Sequence, residues 1–318
     1  MVKHIQVTLV KQWLGGVQGW GGLAMRQEKQ TVKQFYDVFG WNKNQDGVYE
    51  DTATFVDTRP VLDNYHHKVH MRVKEFINPQ GEYFLDAGSG AISHPEHIEY
   101  SAGYKRRVCV DLSAKALSEA RSRLKEQGSY ILADLTRLPF RDRTFDTTVC
   151  AHVLYHIPED EQALTIIELH RTLKQGGNCV IVYNWSAGLF ATLPFLFSRQ
   201  WIAARVRRLI STVPGTRSFF TKLLKPSRRI ASQEKQEWSD PPPLYFHAHD
   251  YQWFQEAFPH DWETDIRCWR SVGKAFTTKF VGNGFAGRFF LELLFRLEST
   301  FPHTMARLGQ YPMMLISK

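Results

Sequence analysis

No apolar run in these 318 residues approaches the ~18 that a helix needs to cross a bilayer. The longest candidate, Ala187 to Phe197, is eleven residues and contains Pro194. Near the start, Lys3 and Lys11 flank only a six-residue run, Ile5 to Val10, too short for a secretory leader. Cysteine is scarce, with four residues and no Cys-x-x-Cys or zinc-type spacing, so neither a disulfide scaffold nor a zinc ribbon is expected. Cys109, Cys150 and Cys179 fall in apolar runs, where a thiol packs as a small hydrophobe, and a reducing cytoplasm is the expected compartment. Acid is missing from one long stretch. Between Asn184 and Gln233 there is no Asp or Glu, while Arg199, Arg205, Arg207, Arg208, Arg217, Lys222, Lys225, Arg228 and Arg229 supply nine positive charges.

What remains is ample for a folded core: 43% of the residues are hydrophobic and 14% aromatic. The net charge of +8 is concentrated in the acid-free stretch. Ile202, Val206, Leu209, Ile210 and Val213 share one helical face there, after Leu189, Phe190, Phe195 and Phe197. A basic amphipathic helix beside apolar residues predicts peripheral contact with an anionic membrane surface, or a lid over an anionic substrate. The plain reading, a packed helix with a solvated basic face, has equal standing. Nucleic acid ranks low as a partner, because charge is its sole support.

The chemistry gathers between Tyr83 and Asp111. An apolar run ends at Asp86, a Gly88-Ser89-Gly90 turn follows, and a second apolar run ends at Asp111, 25 residues after the first acid. Glycine lets the backbone bend tightly where a Cβ would clash, and an acid at the end of the second strand is placed to accept from ribose hydroxyls. A dinucleotide fingerprint would carry a further glycine where Ser93 stands, and no long helix is expected across Ser93-His94-Pro95. The acids continue. Tyr130 to Asp134 is a third apolar run ending in Asp, and Phe145–His152 and Gly176–Tyr183 give fourth and fifth strands.

Six motifs in order make this specific: Asp86-Ala87-Gly88-Ser89-Gly90, Asp111, Asp134-Leu135, Leu138-Pro139-Phe140 before Phe145-Asp146, Val153 to Pro158, and Leu173 to Gly177. Residues 83–184 thereby resemble the core of a class I S-adenosylmethionine (SAM)-dependent methyltransferase, similar to the small-molecule ubiquinone/menaquinone type. The third glycine of the family's first motif is replaced by Ile92. The resemblance implies an α/β fold, a Rossmann-like seven-stranded mixed sheet whose last strand is antiparallel, with helices on both faces and helical cap insertions. It implies S-adenosyl-L-methionine as cofactor. Asp86, Ala87, Gly88, Ser89 and Gly90 would form the loop at the methionine part, with Asp86 organising it. Asp111 with Leu112 would take the ribose, and Asp134 with Leu135 the adenine.

Five segments are expected: a poorly ordered tail 1–26 (Met25 as an alternative start), a helical cap 27–82, the core 83–184, the basic insertion 185–245, and a completion 246–318 with a helical insertion over 272–309. Ser113 and Asp250 read as helix N-caps. Strands six and seven are expected at Trp262–Trp269 and Tyr311–Ser317. In-line methyl transfer demands alignment above all. A hydroxyl acceptor also needs its proton taken, and His152, after the fourth strand, is the candidate base or orienting group. His247-Ala-His249-Asp250 lacks a further ligand nearby in sequence, so no metal is expected. The function read here is methyl transfer to a small-molecule or lipid-linked acceptor, at oxygen, in the cytoplasm or at the inner face of a membrane. The alternatives are an NAD(P)-dependent oxidoreductase, or a silent SAM-binding protein with a membrane- or partner-binding insertion.

Overall fold

The computed structural model describes residues 25–185, 188–190, 192, 241–259 and 261–318. The basic amphipathic run, within 193–240, and the expected tail through residue 24 lie outside the described residues.

Ahead of the sheet come α1 (Gln27–Phe35), continued by a π-helical turn over Tyr36–Gly40, then α2 (Glu50–Phe55) and α3 (Asp63–Arg72). Strand and helix then alternate through β1 (Gly81–Ala87), the single turn α4 (Glu96–Glu99), β2 (Tyr104–Asp111) and α5 (Ala114–Leu124). The alternation continues with β3 (Gly128–Leu132), β4 (Phe145–Ala151), α6 (Glu159–Thr172) and β5 (Leu173–Val182). Later come α7 (Tyr251–Ala257) and β6 (Glu263–Arg270), then α8 (Lys274–Phe280), α9 (Phe285–Thr300) and α10 (Pro302–Leu308). β7 (Tyr311–Ser317) completes the sheet.

The seven strands run in the order β3-β2-β1-β4-β5-β7-β6. β1 to β5 pair in parallel, and β7 lies antiparallel between β5 and β6. The expected fold class and the antiparallel last strand are both present. Strand residues alternate between two layers, as the pleat requires. Phe84, Val149 and Val180 pack toward α3 and α9 with Val69, Leu291 and Leu294. Their neighbours Leu85, Cys150 and Ile181 pack toward α6 and α7 with Ile166, Leu169 and Phe254. Burial on both faces explains why these strands read as continuous apolar runs.

Ser113 Oγ accepts from the Ala116 amide and Asp250 Oδ1 from the Trp253 amide, as N-caps do. One boundary differs from expectation. β5 begins at Leu173, four residues before Gly177, because Leu173 already pairs with Phe145 across an irregularity before Asn178 pairs with Thr147. The preceding helix therefore ends at Thr172. The strand order reverses between β1 and β4. In an open α/β sheet that switch point, outside the carboxyl ends of the strands, is where ligands bind.

Candidate cofactor and acceptor site

At the end of β1 the chain turns through Gly88 (φ 72°) and Gly90 (φ 55°), both left-handed. A Cβ on Gly88 would stand 2.4 Å from the Val153 side chain, and one on Gly90 2.7 Å from the Trp41 ring. Glycine is thus required twice over, by dihedral and by space. The Gly88 and Ser89 amides both donate to the Val110 carbonyl, at 2.7 and 3.1 Å, which ties the turn to β2. Ile92 also sits in the left-handed region, φ 54°, and is fully buried against Cys109, Leu117 and Leu124. A β-branched residue thus occupies a conformation that glycine adopts freely, and packing holds it there.

A cavity of about 860 Å³ opens at the switch point. Gly88, Ser89, Gly90, Asp111, Leu112, Asp134, Leu135 and His152 all line it. Asp86 and Ala87 are not among its lining residues. The Asp86 carboxylate is buried under the sheet and turned to Arg107, whose Nε and Nη2 donate to Oδ2 at 3.0 and 2.5 Å. The pair fixes β1 to β2 from behind the turn.

Asp111 accepts the Gly90 amide on Oδ2 (2.9 Å) and the Ser113 amide on Oδ1 (2.8 Å). Burial pushes this carboxyl up to about 6 despite those two donors. Asp134 is more heavily engaged. Lys29 Nζ donates to Oδ2 at 2.5 Å, and Thr136 gives its amide and hydroxyl to Oδ1, each at 2.9 Å. Burial raises this acid, but the Lys29 ammonium and the Thr136 donors outweigh it and hold it below the usual range. Three of roughly four lone-pair positions on the carboxylate are filled, leaving one for an adenine amino group.

The motifs did not reveal the near wall. Lys29 and Val32 of α1, Tyr36, Trp41 and Asp51 line the cavity from the N-terminal segment. Lys29 is buried and also pairs with Glu161, pinning α1 over the strand ends. Trp41 stacks on Tyr36 (centroids 5.1 Å apart), and its Nε1 is buried without a partner. Asp51, beside the Tyr36 hydroxyl, is pushed up to about 6 by burial. The aromatic richness of 31–41 was visible in the sequence, but it does not separate a cavity wall from ordinary core.

The far half is lined by histidines and aromatics. His70, His94, His97, His152 and His156 all face it, with Trp269, Arg270 and Tyr311. His70 Nδ1 and His97 Nε2 lie 3.0 Å apart, and His94 stacks on His70 at 4.2 Å. Burial above all holds these imidazoles neutral, and Arg270 adds to it at His70, His94 and His152. His152 is lowered to about 3 by burial and by Arg270, His94 and His156 to about 4, and His70 and His97 well below the ordinary value. His152 (φ 63°) packs edge-on to Trp269, 4.7 Å between centroids. A neutral imidazole with so low a basicity accepts a hydrogen bond well and takes a full proton poorly. Its electrostatics favour the orienting half of the expected role.

Outside the cavity, Glu159, His247 and His249 bring one ligand atom each within 4.8 Å of one another. The third donor, absent from the local sequence, comes from the start of α6, 88 positions away from His247. Asp250, adjacent to this set, is occupied as the α7 cap. Three donors on a partly exposed face fall short of the four that a closed structural zinc site uses.

Residues 85–181 match the family model described as a methyltransferase domain. The core of this chain is a class I SAM-dependent methyltransferase domain. A ubiquinone/menaquinone biosynthesis C-methyltransferase of Desulfotalea psychrophila is 35% identical over 97 residues, covering 30% of this chain and 38% of that one. A phosphatidylethanolamine N-methyltransferase of Cereibacter sphaeroides is 31% identical over 124 residues, covering 36% and 57%. The chain therefore spans between about two fifths and three fifths of the length of these relatives. Among solved structures, Haemonchus contortus phosphoethanolamine N-methyltransferase 1, in complex with phosphoethanolamine and S-adenosylhomocysteine, superposes with a TM-score of 0.52 at 10% identity. That match covers 94% of this chain and 51% of the other, and it supports the fold alone.

Proposed function

We propose that this protein transfers a methyl group from S-adenosylmethionine to an oxygen atom of a small-molecule or lipid-linked acceptor. The observation that carries this reading is the continuity of the cavity. One space joins the acids and glycines at the strand ends to a histidine- and aromatic-lined far half. Its ~860 Å³ lies near the top of the range for a single small-ligand pocket, which suits two ligands side by side.

S-adenosylmethionine, when bound, supplies an electrophilic methyl on a positively charged sulfur. Asp111 would hold the ribose diol with its remaining lone pairs, and Asp134 the adenine amino group. Leu112 and Leu135 offer apolar flanks to the base, and the Gly88–Gly90 backbone leaves room for the methionine part. The unpartnered Trp41 Nε1 is a donor in want of an acceptor and fits the presence of a polar ligand. His152 would accept a hydrogen bond from the acceptor hydroxyl and aim its oxygen along the S–CH₃ axis; as the O–CH₃ bond forms and the S–CH₃ bond breaks, the bonding pair stays on sulfur and the hydroxyl proton passes to water. The main catalytic gain in such a displacement is alignment.

The membrane part of the reading rests on α9 and on the acid-free run. Phe285, Phe289, Leu293 and Leu297, each four residues from the next, are all exposed, Phe285 to 84%. The opposite stripe, Gly287, Leu291, Leu294 and Glu298, is buried. Among the described residues no helix is long and apolar enough to cross a membrane. An apolar stripe beside exposed Arg288, on a chain of net charge +8, is complementary to an anionic lipid surface.

Two experiments test the proposal. Calorimetry should show SAM or S-adenosylhomocysteine binding in the micromolar range, about −8 kcal/mol. Tight NAD binding with no SAM binding would sink the methyltransferase reading. Sedimentation should bring the protein down with vesicles containing phosphatidylglycerol at low salt and not with pure phosphatidylcholine. Protein left in the supernatant with both ends the membrane reading.

A further inference from the structure

Arg270, the last residue of β6, lines the far half of the cavity and is only 6% exposed. The buried guanidiniums of Arg72 and Arg107 each have a carboxylate, Glu298 and Asp86. Arg270 has none within ion-pair distance among the described residues, and its Nε is buried without an acceptor. Its known company is aromatic. The guanidinium carbon stands 4.5 Å from the Tyr311 ring centroid and 5.1 Å from that of Trp269. Rings on which a guanidinium stacks fix the plane of its fork, and so the direction in which its N–H groups point. Trp269 Nε1, also on this wall, is buried and unpartnered too.

Among the described residues the surroundings supply no counter-charge. Of the acids on the cavity wall, Asp134 is paired with Lys29, Asp111 is bonded to Gly90 and Ser113, and Asp51 stands beside Tyr36. Lys274 adds a second cation to the wall, its ammonium donating, among the described residues, to the Ala53 and Thr54 carbonyls. The imidazoles between these cations are neutral, and Arg270 is among the causes that keep His94 and His152 so. An unpaired buried charge is costly to maintain, and native proteins keep one where a ligand supplies its partner.

We propose that the methyl acceptor carries an oxyanion, a carboxylate or a phosphate ester, that docks on the fork of Arg270, with its apolar body against Phe55, Leu244 and Phe246. A planar fork matches either oxyanion with two parallel hydrogen bonds. A neutral analogue leaves the Arg270 donors buried and unpaired, so the site discriminates against it strongly. The inference deepens the methyltransferase reading and rests on it for the reaction, but the anion site stands or falls separately.

The test uses the full chain, with and without S-adenosylhomocysteine, and three probes that share a ring: benzoate, phenyl phosphate and neutral benzyl alcohol. Affinities are read from tryptophan fluorescence, since Trp269 borders the site. At least one anion should bind about 10- to 100-fold more tightly than benzyl alcohol, the worth of one charged hydrogen-bonded contact. The tighter of the two names the acceptor's anion. Arg270→Gln should erase the preference and Arg270→Lys restore part of it. Equal binding of all three probes to the wild type overturns the proposal, as does a preference that survives Arg270→Gln. Should the Gln variant not fold, phenylglyoxal labelling of wild-type Arg270 decides. Phenyl phosphate or benzoate should slow it about tenfold and benzyl alcohol should not, and no protection overturns the proposal. Failure of S-adenosylhomocysteine to bind would sink the methyltransferase reading and leave the anion result intact.

Discussion

Asp111 Oδ2 holds the Gly90 amide at 2.9 Å while Oδ1 holds that of Ser113 at 2.8 Å, so one carboxylate joins the glycine turn to the N-cap of α5. The residue proposed to bind the ribose therefore also sets the shape of the loop it works beside.

Asp111→Ala should weaken S-adenosylhomocysteine binding by about 1.5–3 kcal/mol, the cost of a lost charged acceptor. The same carboxyl predicts a pH dependence. Ribose hydroxyls donate to the ionised form, whose pKa is about 6 before the ligand binds. Binding selects that form, so affinity should be level above pH ~6 and fall toward tenfold per unit below it. Calorimetry from pH 5 to pH 8 reads this directly. A profile that Asp111→Asn leaves unaltered would mean that the ribose sits elsewhere.

His152→Ala should lower kcat by about 10²-fold with cofactor affinity nearly unchanged, the usual cost of misaligning a reactant. A side chain neutral down to about 3 gives no inflection in kcat near neutrality. A limb near pH 6.5 that disappears in the variant would instead make His152 a true base.

At Ile92 two effects oppose each other. Replacement by Gly relieves a left-handed β-branched residue, a gain of roughly 1–3 kcal/mol. It also empties a fully buried site, and truncating a buried isoleucine to alanine already costs about 2–5 kcal/mol. Burial should win, with a net loss of about 1–2 kcal/mol in urea unfolding. A stabilised Gly variant would show that the strain exceeds the packing.

Acid should destabilise the protein early. The five cavity histidines titrate lower in the folded state than the ordinary 6.5, so the unfolded chain takes up more protons as pH falls below that value. Each such group removes up to about 1.4 kcal/mol per pH unit. Asp51 and Asp111 act the other way between about 6 and 3.8, because their raised values favour the protonated fold. Five against two leaves a net loss. The urea midpoint should drop between pH 6.5 and 4.5. A flat profile would mean that these imidazoles are solvated.

The sheet and the strand ends that line the cavity were legible because they are local in sequence. Asp111, Asp134 and the Gly88–Gly90 turn each sit where an apolar run stops, and the runs themselves fixed the strands. Asp86 lies behind the turn against Arg107, and in the letters a motif acid looks the same whether it faces a ligand or an arginine; only burial separates the two. Lys29, Arg270 and the pairing of Glu159 with His247 depend on contacts distant in sequence, Lys29 with Glu161, Arg270 with Tyr311 and Glu159 with His247, and neither period nor spacing encodes those. Arg270 in particular reads as one more charge near the end of a strand. Its significance lies in the missing carboxylate, and a missing neighbour leaves no trace in the letters.

The sheet order also has a consequence for how this protein comes off the ribosome. β6 pairs with β7 and with no other strand, yet Arg270 and Tyr311 are separated by the whole of α8, α9 and α10. At roughly 5–20 residues per second, the synthesis of that stretch takes seconds. Throughout that interval β6, carrying Cys268 and Trp269, is an unpaired edge, and β5 lacks its outer neighbour. The wall that holds Arg270 against Tyr311 therefore assembles after the strands that precede it, and until then it is exposed to capture by chaperones or by another nascent copy.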